Sequence, residues 1–439
     1  MEAFADRVLA LAARRAAWAE VYAAGEEETP VAFEANRLRS IETRQSRGVA
    51  LRVVVDGRIG FASSSRLDDP QALVDDALAT ARFGAAAALA YPTAQVEDAG
   101  LDLYDETLLS LSVEAMVQMG QQMVDGVREQ GDDLLCDVDL RRSVASVAVA
   151  NSSGGLGRYR QTTLSLGLHV NRVRGTDILD IYESDASCHL QTLERSRLVT
   201  AVREKLELAE EIVPIRTGTL PVLFTPKGAA MTLLAPLAAA LNGKTVLEGA
   251  SPLAGRLGED LFDARFSLYD DGRVPNLPTS APCDGEGVPT RRTPLVAEGR
   301  LNAYYYDLQT AGLAGAESTG NGQRGLSSLP SPGVHALRVL PGRSSYQTML
   351  ADMAEGLLVD QTMGAWAGNL LAGDFGGNVH LGLKVERGRL VGRVKDTMLA
   401  GNVFRALREL QGIGDRAEWV GGSIEVPHLC FPGLSISAR

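Results

Sequence analysis

The stretch CDGEGVPTRRT, Cys283 to Thr293, brings a thiol, two carboxylates (Asp284, Glu286) and two guanidiniums (Arg291, Arg292) into eleven residues. These are reactive groups from which a catalytic centre could be built. Three features favour a structural use instead. The acids alternate with glycine as turn residues do, Pro289 and the following TPLV lead into a strand, and no histidine is near. Asp284 and Glu286 are therefore expected to pair with Arg291 or Arg292 across a tight turn, fixing the loop that feeds the next hairpin.

Metal-assisted hydrolysis would need His, Glu or Asp at spacings that converge on one ion. The five histidines, 169, 189, 335, 380 and 428, stand apart, and no HExxH, HxH or HxxEH occurs. Cys188 adjoins His189, and His428 lies two residues from Cys430. Adjacent strand residues face opposite sides, so His428 and Cys430 are the better ligand pair. The segment PLAAALNGKT ends like a phosphate-binding loop, but the earlier glycine of that motif is replaced by Ala238 and a helix precedes the GKT. Gly243 reads better as a helix C-cap. No serine has a GxSxG setting. The glycine-rich runs ESTGNGQRG and AGDFGGNVHLG suit tight turns between strands better than anion-binding nests.

The elements that must position these groups are mixed. Helical periodicity marks EAFADRVLALAARRA, then DPQALVDDALATARFG with Asp69 as cap and Pro70 at the first helical position, then SVEAMVQMGQQMVDGVREQ opened by Ser112. A charged periodic helix follows from about Leu190 to Glu211. VVVDGRIGF reads as a hairpin turning at Asp56-Gly57, and further strands are predicted from Leu134 to Ser184. After a boundary near IVPIRTGT come the strand TLPVLFT, the helix PKGAAMTLLAPLAAALNG, the hairpin TPLVAEGRLNAYYYD and a late helix GNVFRALREL. Strands and helices without regular βα alternation predict an α+β fold. Two domains are expected, 1–212 with mixed helices and strands and 213–439 rich in strands.

The 439 residues are 45% hydrophobic and 22% charged, with a net charge of −12 and a pI near 5.1. That acidity, with no basic stripe, argues against nucleic acid as a partner. Four widely spaced cysteines without CxxC suggest reduced thiols and a cytoplasmic location. The start of the chain lacks a signal-peptide pattern. The longest apolar uncharged run, GAAMTLLAPLAAALNG, contains Pro236 and is shorter than the roughly 20 residues that span a bilayer, so no membrane segment is expected.

Several segments together resemble the TldD/PmbA family, once named modulators of DNA gyrase and now regarded as peptidases. They are GVALRVVVDGRIGFASSS, ANSSGG, CDGEGVPTRRTPLVAEGRLNAYYYD, ESTGNGQRG and GDFGGNVHLGLKVERGRLVGRVKDTMLAGN. Their order and spacing match over nearly the whole chain. One branch of that family carries HExxxH on a helix of the second domain, where two histidines hold a metal and the glutamate can act as general base. The helix in the comparable place here, TPKGAAMTLLAPLAAALNG, has neither histidine nor acid. The chain thus resembles the PmbA/TldE branch, and no catalytic residue, metal ligand or cofactor is carried over to it.

The resemblance implies a heterodimer with a TldD-like, HExxxH-bearing paralogue, or a homodimer without it. The partner would hold the divalent metal, expected to be zinc, and an extended peptide would be cut inside an enclosed cavity. Strands can receive such a peptide at a sheet edge through main-chain hydrogen bonds. Asp284, Glu286, Arg291, Arg292, Gly373, Asp374 and Asn402 are the landmarks expected to shape the structure or the substrate cavity. The alternatives are a non-enzymatic peptide-binding homodimer and a peptidase using noncontiguous ligands such as His428 and Cys430.

Overall fold

The strand Trp18–Glu34 alternates in two directions at once. Ala19, Val21 and Ala23 pack against helices, while Glu20 and Tyr22 point from the opposite face. Period-two alternation makes this division obligatory along a strand. In the computed structural model, which describes residues 1–96, 100–365 and 368–438, this strand lies in an eight-stranded sheet. Its main order is Arg58–Ser64, Arg44–Val55, Trp18–Glu34, Leu134–Asn151, Leu156–Arg174, with the short Gln95–Val96 at the edge. Asp177–Ser187 pairs with Leu156–Arg174, and Arg37–Ile41 with the far end of Trp18–Glu34.

Helices Glu2–Ala12 and Pro70–Ala81 cover one part of the sheet, and Val113–Arg128 and Arg195–Leu208 another. Their starts follow local chemistry. The Asp69 carboxylate accepts from the Ala72 N–H and the Ser112 hydroxyl from the Ala115 N–H, each satisfying an otherwise orphan amide of the first turn. The charged helix is shorter than its sequence suggests: it spans Arg195–Leu208, preceded by a separate 3-10 turn at Leu190–Thr192. Arg44–Val55 and Arg58–Ser64 form the expected hairpin. Asp56 and Gly57 both take positive φ, 48° and 72°, which is the geometry of a type I′ turn.

In the second half, strand pairing closes on itself. Gly218–Phe224 runs parallel to Glu355–Met363, which continues to Asp374–Glu386, Thr397–Asn402 and Ile424–Ala438, and the last returns to Gly218–Phe224. Leu337–Val339 extends this sheet to Leu268–Asp271 and then Arg292–Ala297. Leu233, Leu234, Leu237 and Leu241 of the helical stretch pack here with Phe224, Phe266 and Phe431 in one core. Each such side chain stabilises the fold by about 1.5–3 kcal/mol relative to exposure.

That helical stretch is not uniform: Pro226–Ala229 is α, Ala230–Leu234 is π, and Ala235–Leu241 is α again. Pro236 cannot donate to the preceding turn and its ring needs room there; the widened π turn provides it. Gly243 does not cap this helix. Asn242 ends it, and its side chain accepts from the Lys244 N–H to start a new helix, Gly243–Leu247. A Cβ at 243 would stand 2.1 Å from the Tyr306 ring, so close packing explains the glycine. The architecture is α+β, and among the described residues no helix is long and apolar enough to cross a membrane.

Candidate functional site

Glu20 and Arg52 each interrupt an apolar strand, WAEVYAA and VALRVVV, and they lie directly opposite one another in register. A charge on a buried strand face needs a partner. Arg52 donates through Nη2 to Glu20 at 2.7 Å and through Nη1 to Glu286 at 2.7 Å. Glu20 accepts a second bond, 2.6 Å, from Nη1 of Arg324. The second Glu286 oxygen accepts from the Leu308 N–H at 2.7 Å. Arg324, Glu20, Arg52 and Glu286 thus alternate in sign along one chain of contacts, all at most 2% exposed. Two come from the N-terminal sheet and two from loops of the second half. Burial pushes the Glu286 carboxyl up, Arg52 opposes this, and Asp284, Asp307 and Glu20 push it further up. Trp18 and Tyr22 lie against the Arg52 and Arg324 guanidiniums, 5.3 and 4.9 Å from the ring centroids.

The expected pairing of Asp284 and Glu286 with Arg291 or Arg292 does not occur. Asp284 accepts only from backbone: from the Glu286 and Val288 amides at 2.9 and 3.0 Å, and from the Gly322 amide at 2.7 Å. It organises its own turn and ties it to the ESTGNGQRG loop. Arg291 donates to the Ser318 carbonyl. Arg292 lies 4.2 Å over the Tyr269 ring and 3.9 Å from Asp271, with its side chain 47% exposed. Of the nearest arginines in sequence, Arg292 begins the strand leading away from the loop and Arg291 immediately precedes it, while the true partner of Glu286 is 234 residues distant. Glu20, Arg52 and Arg324 are absent from the sequence-derived candidates; a lone charge inside an apolar strand was the available signal for the first two.

A cavity of about 290 Å³ opens beside this network, lined among others by Tyr22, Tyr159, Ser280, Cys283, Arg324 and His335. Burial pushes the Cys283 thiol up to about 12, and Asp284 adds to the rise, so this sulfur is no thiolate at neutral pH. His335 bonds through Nε2 to the Gly320 carbonyl at 2.8 Å, and its amide donates to Asp270 at 2.8 Å. Asp270 also holds the Asn321 side chain, at 2.5 Å.

Asp374 and Asn402 meet elsewhere, on an exposed groove, with Gly373 buried beside them. Asn402 donates to Asp374 at 2.9 Å and to the Ala372 carbonyl at 2.8 Å, while its oxygen caps the helix Val403–Arg408. The Gly373 carbonyl accepts from the Val403 N–H. This is a clasp between strand and helix, separate from the Glu286 network. A second cleft, about 490 Å³, lies where the two halves meet. There Lys205 bridges Glu183 and Asp360 at 2.5 and 2.7 Å, and Lys227 reaches Glu183 and Gln361 at 3.1 and 3.0 Å.

His428 stacks against Tyr346, with ring centroids 4.7 Å apart, and burial pushes it down to about 4. Cys430 points to Gln411, and burial raises its thiol to about 11. Cys188 is buried beside Gln161, and His189 bonds the Asp102 carbonyl. His169 and His380, distant in sequence, share Asp180. Among the described residues no group of three His, Cys, Asp or Glu is placed to hold an ion. These donors do not fit a metal centre, and no chemical step is derived through one.

The family described as "PmbA/TldA metallopeptidase C-terminal domain" matches residues 217–438, half of the chain, and "PmbA/TldA metallopeptidase domain 1" matches residues 19–81. The chain belongs to the PmbA/TldD family. Metalloprotease PmbA of Escherichia coli O157:H7 is 24% identical over 452 aligned positions, covering 100% of this chain and 96% of that protein. An uncharacterized protein of Methanocaldococcus jannaschii is 25% identical, with 93% and 94% covered. The fold is shared with the crystal structure of TldE from Thermococcus kodakarensis, at a TM-score of 0.88, 22% identity and coverage of 99% and 100%. A putative modulator of a DNA gyrase from Thermotoga maritima gives a TM-score of 0.90 at 21% identity, with the same coverages. Both ends of the Arg52–Glu286 contact fall inside the matched regions, so this PmbA/TldD chain joins its two family segments through a buried ion network.

Proposed function

We propose that this chain is the metal-free subunit of a TldD/TldE-type metallopeptidase complex, acting in the cytoplasm on unfolded, extended peptides. The observation that carries the reading is the helical stretch Pro226–Leu241. Where the metal-bearing branch places HExxxH, this chain has Ala, Leu, Pro and Met, and Leu233, Leu234, Leu237, Ala240 and Leu241 are fully buried in apolar core. The ion, held by an HExxxH-bearing partner, would activate water and polarise the scissile carbonyl. This chain would supply cavity wall and peptide contacts. The cavities of about 290 and 490 Å³ are large enough to seat single side chains or a chain end.

Co-purification from the native cell tests the assembly. An HExxxH-bearing paralogue should elute with this chain in a complex of both. Elution of this chain only with itself, in cells that express such a paralogue, would contradict the heterodimer and favour a peptide-binding homodimer.

A further inference from the structure

The Arg324 side chain is fully buried, yet only one of its three nitrogens is used. Nη1 donates to Glu20, whereas Nε and Nη2 have no partner. Those two N–H groups form one edge of the planar guanidinium, the fork that matches both oxygens of a carboxylate. Two further donors in the cavity wall, the hydroxyls of Thr279 and Ser280, are also buried without partners. Leaving a buried donor unmade is destabilising by about 1–3 kcal/mol, more for a charged group. Four N–H and O–H groups, all on residues that line one cavity, therefore have no acceptor within the chain.

The nearby acids are not that acceptor. Both Asp284 oxygens are taken by backbone amides, and Glu20 and Glu286 are engaged as described. Tyr22 lies flat-side toward the guanidinium and Tyr159 also lines the cavity, so the walls are aromatic as well as polar.

We propose that this cavity is a carboxylate-binding site, with the free edge of Arg324 as the fork and the Thr279 and Ser280 hydroxyls as flanking donors. At about 290 Å³ it holds a group the size of one amino-acid residue. The C-terminal carboxylate of a peptide is the occupant that fits; this choice of source rests on the proposed function, whereas the carboxylate chemistry does not.

The test uses the full chain without its partner, so that binding here and peptide cleavage by a complex can fail separately. Fluorescein-labelled pentaalanine, its C-terminal amide, and N-acetylalanine as unlabelled competitor are the probes, read by fluorescence anisotropy. The free acid should bind at least about tenfold more tightly than the amide, the scale of a charge-assisted bidentate contact. Arg324→Lys, which keeps the charge but loses the fork, should bring acid and amide to parity. Ser280→Ala and Thr279→Val leave the ion network intact and should weaken the acid alone. Binding of N-acetylalanine, read directly by isothermal titration calorimetry, without any pentaalanine binding assigns the site to a small free carboxylate and removes the peptide terminus as ligand. Equal affinity for acid and amide, or binding of none of the three, overturns the proposal.

Discussion

Consider the replacement of Arg52 by methionine, which keeps length and apolar volume while removing the guanidinium. Glu20 then retains only Arg324, and Glu286 retains only the Leu308 amide, so two buried carboxylates share one guanidinium. Breaking one member of a buried ion pair is destabilising by about 3–5 kcal/mol. Glu286→Met alone should be destabilising on the same scale. In the double variant, however, Glu20 and Arg324 remain as a balanced pair, and the uncompensated charge of each single variant disappears. The Leu308 amide loses its acceptor in both Glu286→Met backgrounds, so that contribution cancels from the coupling. Equilibrium urea unfolding of the four proteins should give a double-variant loss smaller than the sum of the singles by at least about 2 kcal/mol, within the range of coupled contacting pairs. Additivity within about 0.5 kcal/mol, the behaviour of independent sites, would refute the alternating network.

Further expectations concern single groups. His428, pushed down to about 4 by burial, binds its proton less well folded than unfolded, so stability is full above the unfolded value of 6.5 and is lost as pH falls toward 4. Over that window the loss should approach about 3 kcal/mol at 1.36 kcal/mol per pKa unit, and His428→Phe should flatten the slope in pH-dependent unfolding. All four cysteines are buried, their thiols raised to about 11 or 12 by burial, so Ellman's reagent should label none in the native chain and four after unfolding. Arg292→Ala should change stability by less than about 1 kcal/mol, because its ion pair is long and half-exposed; a larger drop in melting temperature would restore a structural role for it.

How much of this was legible in the sequence depended on distance along the chain. The Asp56-Gly57 hairpin and the caps at Asp69 and Ser112 use partners within a few residues, so residue type alone announces them. The lack of regular βα alternation likewise pointed to the α+β fold. The partners of Asp284 and Glu286 did not follow, because neighbouring arginines are the only partners that a linear reading offers. Arg291 and Arg292 lie at the start of the outgoing strand, and Glu286 is met by Arg52 from the other sheet. Gly243 misled for a related reason: its close neighbour is Tyr306, a contact between elements, while the helix end belongs to Asn242. Glu20 and Arg52 could have been noticed as lone charges in apolar strands. Arg324 could not, since nothing local distinguishes it from a loop arginine.

The central claim is that this chain contributes to peptide cleavage without holding the metal. Its most direct test is cleavage of an unfolded peptide by the purified chain alone and after reconstitution with an HExxxH-bearing partner, each with and without chelator. No cleavage by the chain alone, and chelator-sensitive cleavage by the pair, is the predicted result. Chelator-sensitive cleavage by the isolated chain would contradict it.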